Sequence, residues 1–129
     1  MAQIGMIRDT QLPYDDVLAK LPDLLKEEGF GVLTRIDVKA TLKEKIGVDF
    51  RRYQILGACN PKFAHQALSI DPSVGVLLPC NVAVYERDGG GTTVRSIDPM
   101  QTLAGADPRF AEVAKQVQER LARVLSKLA

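Results

Sequence analysis

A chain of 129 residues is the usual size of one domain and long enough to bury a core without disulfide or metal staples. Hydrophobic residues make up 46% and charged residues 26%, a globular balance that excludes disordered and fibrous classes. Seventeen Lys and Arg against sixteen Asp and Glu leave a net charge of +1, which gives neither nucleic acid nor an anionic membrane a global electrostatic hold.

The opening MAQIGMIRDTQLPYDD is interrupted by Arg8 and Asp9 before a signal-peptide core can form. Nowhere does an apolar run reach the ~18 residues that would span a bilayer. The expectation is a cytoplasmic protein with no membrane role, in which Cys59 and Cys80 are thiols. No repeat, low-complexity tract or linker divides the chain, so residues 1–129 read as a single domain.

Ile4 to Arg8 is a short strand candidate. Tyr14 to Glu28 then carries a helical stripe of Val17, Leu18, Leu21, Leu24 and Leu25. Pro13 suits its first turn and Gly29 its left-handed end, while Pro22 inside it predicts a kink. Val32 to Lys39 alternates as a strand with one wetter face. Thr41 to Ile46 reads as a helical turn or two, ended by Gly47.

Strand character returns in RRYQILGAC, where Tyr53, Ile55, Gly57 and Cys59 share a face. Asn60 is placed to cap a helix running to about Ile70, with Pro61 in its first turn, and Asp71-Pro72 ends it. Val76 to Arg87 reads as a strand broken at Pro79, with Cys80, Val82 and Val84 on one side. Asp88-Gly89-Gly90-Gly91 is hairpin chemistry leading into a return strand, Thr92 to Ile97. Finally Asp107 is expected to cap a long C-terminal helix striped by Phe110, Val113, Ala114, Val117, Leu121, Val124, Leu125 and Leu128. The sum is an α+β fold, a mainly antiparallel sheet of four to five strands with helices packed on it.

Chemistry concentrates around the two Cys-Asn steps, Cys59-Asn60 and Cys80-Asn81, with the only histidine, His65, between them. A thiol just before a helix N-terminus feels the helix dipole, which favours the thiolate. Neighbouring antiparallel strands would bring Cys59 and Cys80 together, and parity puts both on the apolar faces of their strands. Cys59, Asn60, His65, Cys80 and Asn81 are therefore the candidate ligand-binding residues, with His65 a potential base for a Cys59 nucleophile. The competing reading is that both thiols are small hydrophobes of the core.

Two cysteines and one histidine are one ligand short of a structural zinc site and match no finger spacing, so no metal is expected. The glycine run at 88–91 lacks the lysine and following helix of a phosphate loop. Basic residues cluster between Arg35 and Lys62 without interleaved aromatics, which argues against nucleic acid. No serine triad pattern is present. Catalytic residues are unknown at this stage. Two hypotheses stand: a small-ligand or redox-sensing module using the Cys59, His65 and Cys80 region, or a non-catalytic structural or interaction protein, dimeric through its sheet edge or C-terminal helix.

The segments GFGVLTRIDVKATLKEKIGVDF, YQILGACNPKFAHQAL, GVLLPCNVAVYE and SIDP resemble the domain of unknown function 302 (DUF302) family, over about Tyr14 to Met100. The resemblance implies a TATA-binding-protein-like β-α-β4-α architecture and a homodimer. It implies no catalytic residue set and no cofactor, and likeness to a DNA-binding architecture is not evidence of DNA binding.

Overall fold

The computed structural model describes residues 3–128. Five strands form one antiparallel sheet: β1 (Met6–Thr10), β2 (Gly31–Asp37), β3 (Tyr53–Cys59), β4 (Cys80–Glu86) and β5 (Thr92–Ser96). Their order is β1-β5-β4-β3-β2, so β1 and β2 are the two edges. The helices are α1 (Tyr14–Glu27), α2 (Val38–Ile46), α3 (Pro61–Ile70), the short α4 (Leu103–Ala106) and α5 (Ala111–Ser126). The expected α+β class holds, and α2, α3 and α4 are additions to the simple β-α-β4-α order.

Strand alternation divides the sheet into two unlike faces. Val82 and Val84 of β4, Leu56 and Ala58 of β3 and Val94 of β5 are each at most 1% exposed. They pack with Val17, Leu21 and Leu25 of α1, Phe63 of α3, and Val117, Leu121, Val124 and Leu125 of α5. The C-terminal stripe is thus covered by the chain's own core. On the opposite face the register aligns Ile7, Arg95, Ala83, Ile55 and Ile36 in one row across all five strands. All of that row is exposed or half-buried.

Several local expectations are corrected. β1 begins at Met6 rather than Ile4, since Gly5 precedes it with φ +69°. Pro13 stands at the N-cap of α1 rather than inside its first turn. Gly29 has φ +88°, as a left-handed helix end requires. β2 has no dry face: every residue except Val32 is exposed. As an edge strand it has a partner on one side only.

α2 starts at Val38, three residues early, because Asp37 accepts a hydrogen bond from the Ala40 amide at 3.0 Å and caps it. Residues Pro72–Leu77 form a 3-10 helix where a strand was expected from Val76. Pro72 sits in its first turn, and the Asp71 carboxylate accepts from the Ser73 amide at 3.0 Å. β4 therefore begins only after Pro79, whose peptide bond with Leu78 is cis. Asp107 caps a turn, accepting from the Arg109 amide at 2.9 Å, and α5 proper starts at Ala111.

Candidate functional site

β3 delivers Cys59 and Asn60 to the start of α3, and β4 begins at Cys80 beside them. The ladder pairs Cys80 with Ala58, not with Cys59. Cys80 therefore shares the helix-covered face with Ala58 and Leu56, while Cys59 has the opposite parity on the last residue of its strand. The two thiols do not share a face, contrary to expectation, because the buried residues of β3 are Leu56 and Ala58, whereas Cys59 has the parity of Tyr53 and Ile55 on the other face. Both are free thiols.

They nevertheless border one space. A half-enclosed cavity of about 80 Å³ lies between the sheet end, α3, the 3-10 turn before Pro79, and α4 and α5. Its walls include Cys59, Asn60 and Cys80 together with Phe63, Phe110 and Val117, and they are overwhelmingly apolar. Burial pushes the Cys80 thiol up to about 11, with the neighbouring Cys59 adding to the rise. A thiol so placed stays protonated at neutral pH and packs as a hydrophobe.

Asn60 stands at the N-cap position of α3, yet its side chain does not cap the helix. Its Nδ2 donates instead to the Glu28 carbonyl at 3.2 Å, joining the end of α1 to the start of α3. Gly29 is required at this joint: a Cβ there would lie 3.0 Å from that Nδ2. Arg120 Nη1 donates to the same carbonyl at 3.2 Å and its guanidinium lies 5.2 Å from the Phe63 ring centre. The Glu28 carboxylate in turn receives Arg123 Nη2 at 2.9 Å and Lys127 Nζ at 3.7 Å. The hydrogen bond from Arg123 holds that carboxyl below its ordinary value.

The other two candidates lie elsewhere. His65 is exposed on α3 and lines no part of the cavity, and no hydrogen bond joins it to Cys59. Asn81 is exposed on the opposite face of the sheet, where it lines an open trough with Tyr53, Ile55, Ala83 and Arg95. There Tyr53 and Tyr85 stack at 4.9 Å with their planes 10° apart. Shared parity in RRYQIL and NVAVYER was the signal for this trough. Nothing in sequence announced the cavity walls from α4 and α5, which depend on long-range packing.

Among the described residues no group of three or more His, Cys, Asp or Glu could hold a metal ion. Every buried side-chain nitrogen and oxygen among them has a hydrogen-bond partner. No helix among them is long and apolar enough to cross a membrane. Such a site can admit an apolar group. Among the described residues it offers a bound molecule no unpartnered buried donor.

Comparison with known proteins bears on the same elements. The family model described as "Domain of unknown function DUF302" matches residues 6–128. A crystal structure of an uncharacterized conserved protein DUF302 from Bacillus stearothermophilus is similar at 34% identity and a TM-score of 0.90. The match covers 99% of this chain and 100% of that one. No curated protein matches. From β1 to the end of α5, the chain belongs to the DUF302 family, whose function is unknown.

Proposed function

We propose that this domain is a non-catalytic binding module that takes the apolar end of a small ligand into the cavity beside Cys59, Asn60 and Cys80. The observation that carries this reading is the cavity itself, half open and lined almost wholly by carbon. Native cores are close-packed, so a lined apolar void is a departure from the norm. Its 80 Å³ is about half of the ~150 Å³ that accommodates benzene. A short alkyl terminus fits better than an aromatic ring.

A redox-sensing role is less well supported. Sensor cysteines are exposed and easily ionised, whereas Cys80 is driven the other way. The ligand reading is tested by pressurising the protein with xenon while following its methyl NMR signals. Shifts confined to the lining methyl groups of Val74, Leu77, Leu78, Ile97, Val113 and Val117 are expected, and Ala114→Leu, which fills the space, should abolish them. Absence of shifts in the native protein, or shifts that persist in Ala114→Leu, would end the proposal.

A second reading concerns assembly. We infer a cytoplasmic homodimer, because α2 buries none of its side chains within its own chain. A helix of nine residues is marginal in water unless something packs against it. Nucleic acid is a poorer partner, given the net charge of +1.

A further inference from the structure

Strand register leaves a hollow on the face of the sheet opposite α1 and α5. Ala83 is its floor. Around it on that face stand Asn81 and Tyr85 along β4, Ile55 across on β3 and Arg95 across on β5. All four side chains are larger than a methyl group, so the sheet dips where they surround it. The trough has a volume of about 410 Å³, inside the ~300–1,000 Å³ of small-molecule sites. Ile4, Tyr53 and Ile55 give it apolar walls, and Ile4 is 80% exposed. A second open hollow with Tyr85 in its wall adjoins it, sharing Ile4, Tyr53 and Arg95.

The residues before β1 close one end. Gly5 donates its amide to Gln101 Oε1 at 2.9 Å, and Gln101 Nε2 donates to the Gln3 carbonyl at 3.2 Å. Ile4 is held between them, and its carbonyl accepts from Arg95 Nη1 at 3.0 Å. The Nε–H of Arg95 meets the Tyr85 hydroxyl at 3.3 Å. A guanidinium has five N–H donors. The remaining three have no partner among the described residues.

Charge narrows the occupant. Arg95 has no ion pair among the described residues, and it is the one Lys or Arg among those lining the trough. The acids on this side are engaged elsewhere. Asp98, at the rim, accepts from the Met100 amide and from Gln118 Nε2, each at 2.9 Å. Asp9 accepts from Thr93 Oγ1 at 2.6 Å and faces Arg87 Nε at 3.8 Å. A half-buried guanidinium whose bonds all go to neutral oxygens is a ready seat for a carboxylate, which takes two parallel N–H groups at once. One cation balances one negative charge. A phosphate dianion calls for a second cation, and none stands among the described lining residues. The Asn81 carboxamide, also without a partner among the described residues, adds a neutral polar contact beside Ala83.

We propose that this trough binds a small organic monocarboxylate, its carboxylate on Arg95 and its apolar body over Ala83, Ile55 and Tyr53. Benzoate is the probe, followed by NMR of the full chain. Saturable shifts are expected at the Arg95 Nε–H, the Asn81 carboxamide and the Ala83 and Ile55 methyl groups, with half-saturation at or below about 1 mM. Benzamide, which keeps the shape and loses the charge, should bind at least about tenfold more weakly. Excess inorganic phosphate should not displace benzoate. Arg95→Gln should weaken benzoate about tenfold, and Ala83→Leu, which raises the floor, should abolish the shifts, both with circular dichroism unchanged.

No saturation by about 10 mM benzoate overturns the site. So does equal binding of benzamide, or binding that survives Arg95→Gln unchanged, because the guanidinium would then not be the anchor. Displacement by phosphate overturns it too, since it would reveal an unselective cation in place of a carboxylate seat. Shifts at Val113 and Val117 without Ala83 would put the probe in the cavity beside Cys80, refuting the trough and leaving that cavity's own reading intact. If either variant loses its fold, the comparison of benzoate with benzamide on the native chain decides alone.

Discussion

Replacing Cys59 by Ser leaves Cys80 as the only thiol, and its alkylation then measures the interior electrostatics of the cavity. With Cys59 in place, burial and that neighbour raise this thiol from 9.0 to about 11. Burial, the larger cause, remains in the variant, so the thiolate fraction near neutral pH falls by up to about 100-fold. A more basic thiolate is a better nucleophile, with a Brønsted slope of about 0.4–0.5, which recovers about 6- to 10-fold. The net expectation is a rate about tenfold below that of a free thiol, before restricted access slows it further. Iodoacetamide labelling followed by mass spectrometry should show the rate still climbing with pH well above 9.0. In urea the rate should return to that of an ordinary cysteine.

The same shift has a sign for stability. A folded value above the unfolded one means a contribution fully present below pH 9.0 and lost as pH rises towards about 11. Tyr14, raised by burial and by Asp37 to about 12, weakens the fold over a neighbouring range. Comparing Cys59→Ser with Cys59→Ser/Cys80→Ala isolates the thiol. A Cys80 that reacts with a midpoint near neutral pH would refute this reasoning, because it would reveal a stabilised thiolate in what is described as an apolar wall.

Other expectations concern the scaffold around the site. Leu121→Ala, at a position 1% exposed, should cost about 2–5 kcal/mol by urea denaturation, and a change under about 0.5 kcal/mol would mean that the α5 stripe is not core. Glu28→Gln should destabilise by about 1–3 kcal/mol at neutral pH. Since Arg123 lowers the folded carboxyl below its ordinary 4.5, the wild-type advantage is present above that value and fades as pH falls, and a gap that stays constant in acid contradicts the ion pair. Gly57→Ala would drive a Cβ into the Thr34 hydroxyl and to 2.9 Å from Pro79 Cγ, costing about 1–3 kcal/mol, and Thr34→Ala should recover part of that loss.

Local rules located the elements of the fold well because each carried its own punctuation. Asn60-Pro61, Asp71-Pro72 and the glycine run at 88–91 bound α3 and the β4–β5 hairpin as their chemistry dictates. Where reading failed, two signals competed. Val76 to Leu78 is apolar enough for a strand, but Asp71 and Pro72 start a 3-10 turn that absorbs it. The candidate site was half legible. Cys59, Asn60 and Cys80 do converge, yet both parities of YQILGAC are apolar enough to face inward, and only packing selects Leu56 and Ala58 over Ile55 and Cys59. In sequence Asn60 reads as a helix cap, whereas its partner is a carbonyl 32 positions away. The bare surface of α2 was invisible because exposure is a property of what packs around a segment.

The hold of α5 on Glu28 also bears on how the protein is made. Leu128 is 0% exposed and its carbonyl receives Arg8, while Arg123 and Lys127 close on the end of α1. β5 must find β1 far back along the chain, from Met6 with Ser96 to Thr10 with Thr92. A nascent chain emerging from a ribosome therefore has its N-terminal strand and helix outside long before their partners exist. Until residue 128 clears the exit tunnel, α1 and β4 can close on each other but lack the apolar stripe of α5 that completes the core. Synthesis rate and chaperone occupancy during that interval, rather than final stability, would govern how much of the protein reaches its folded state.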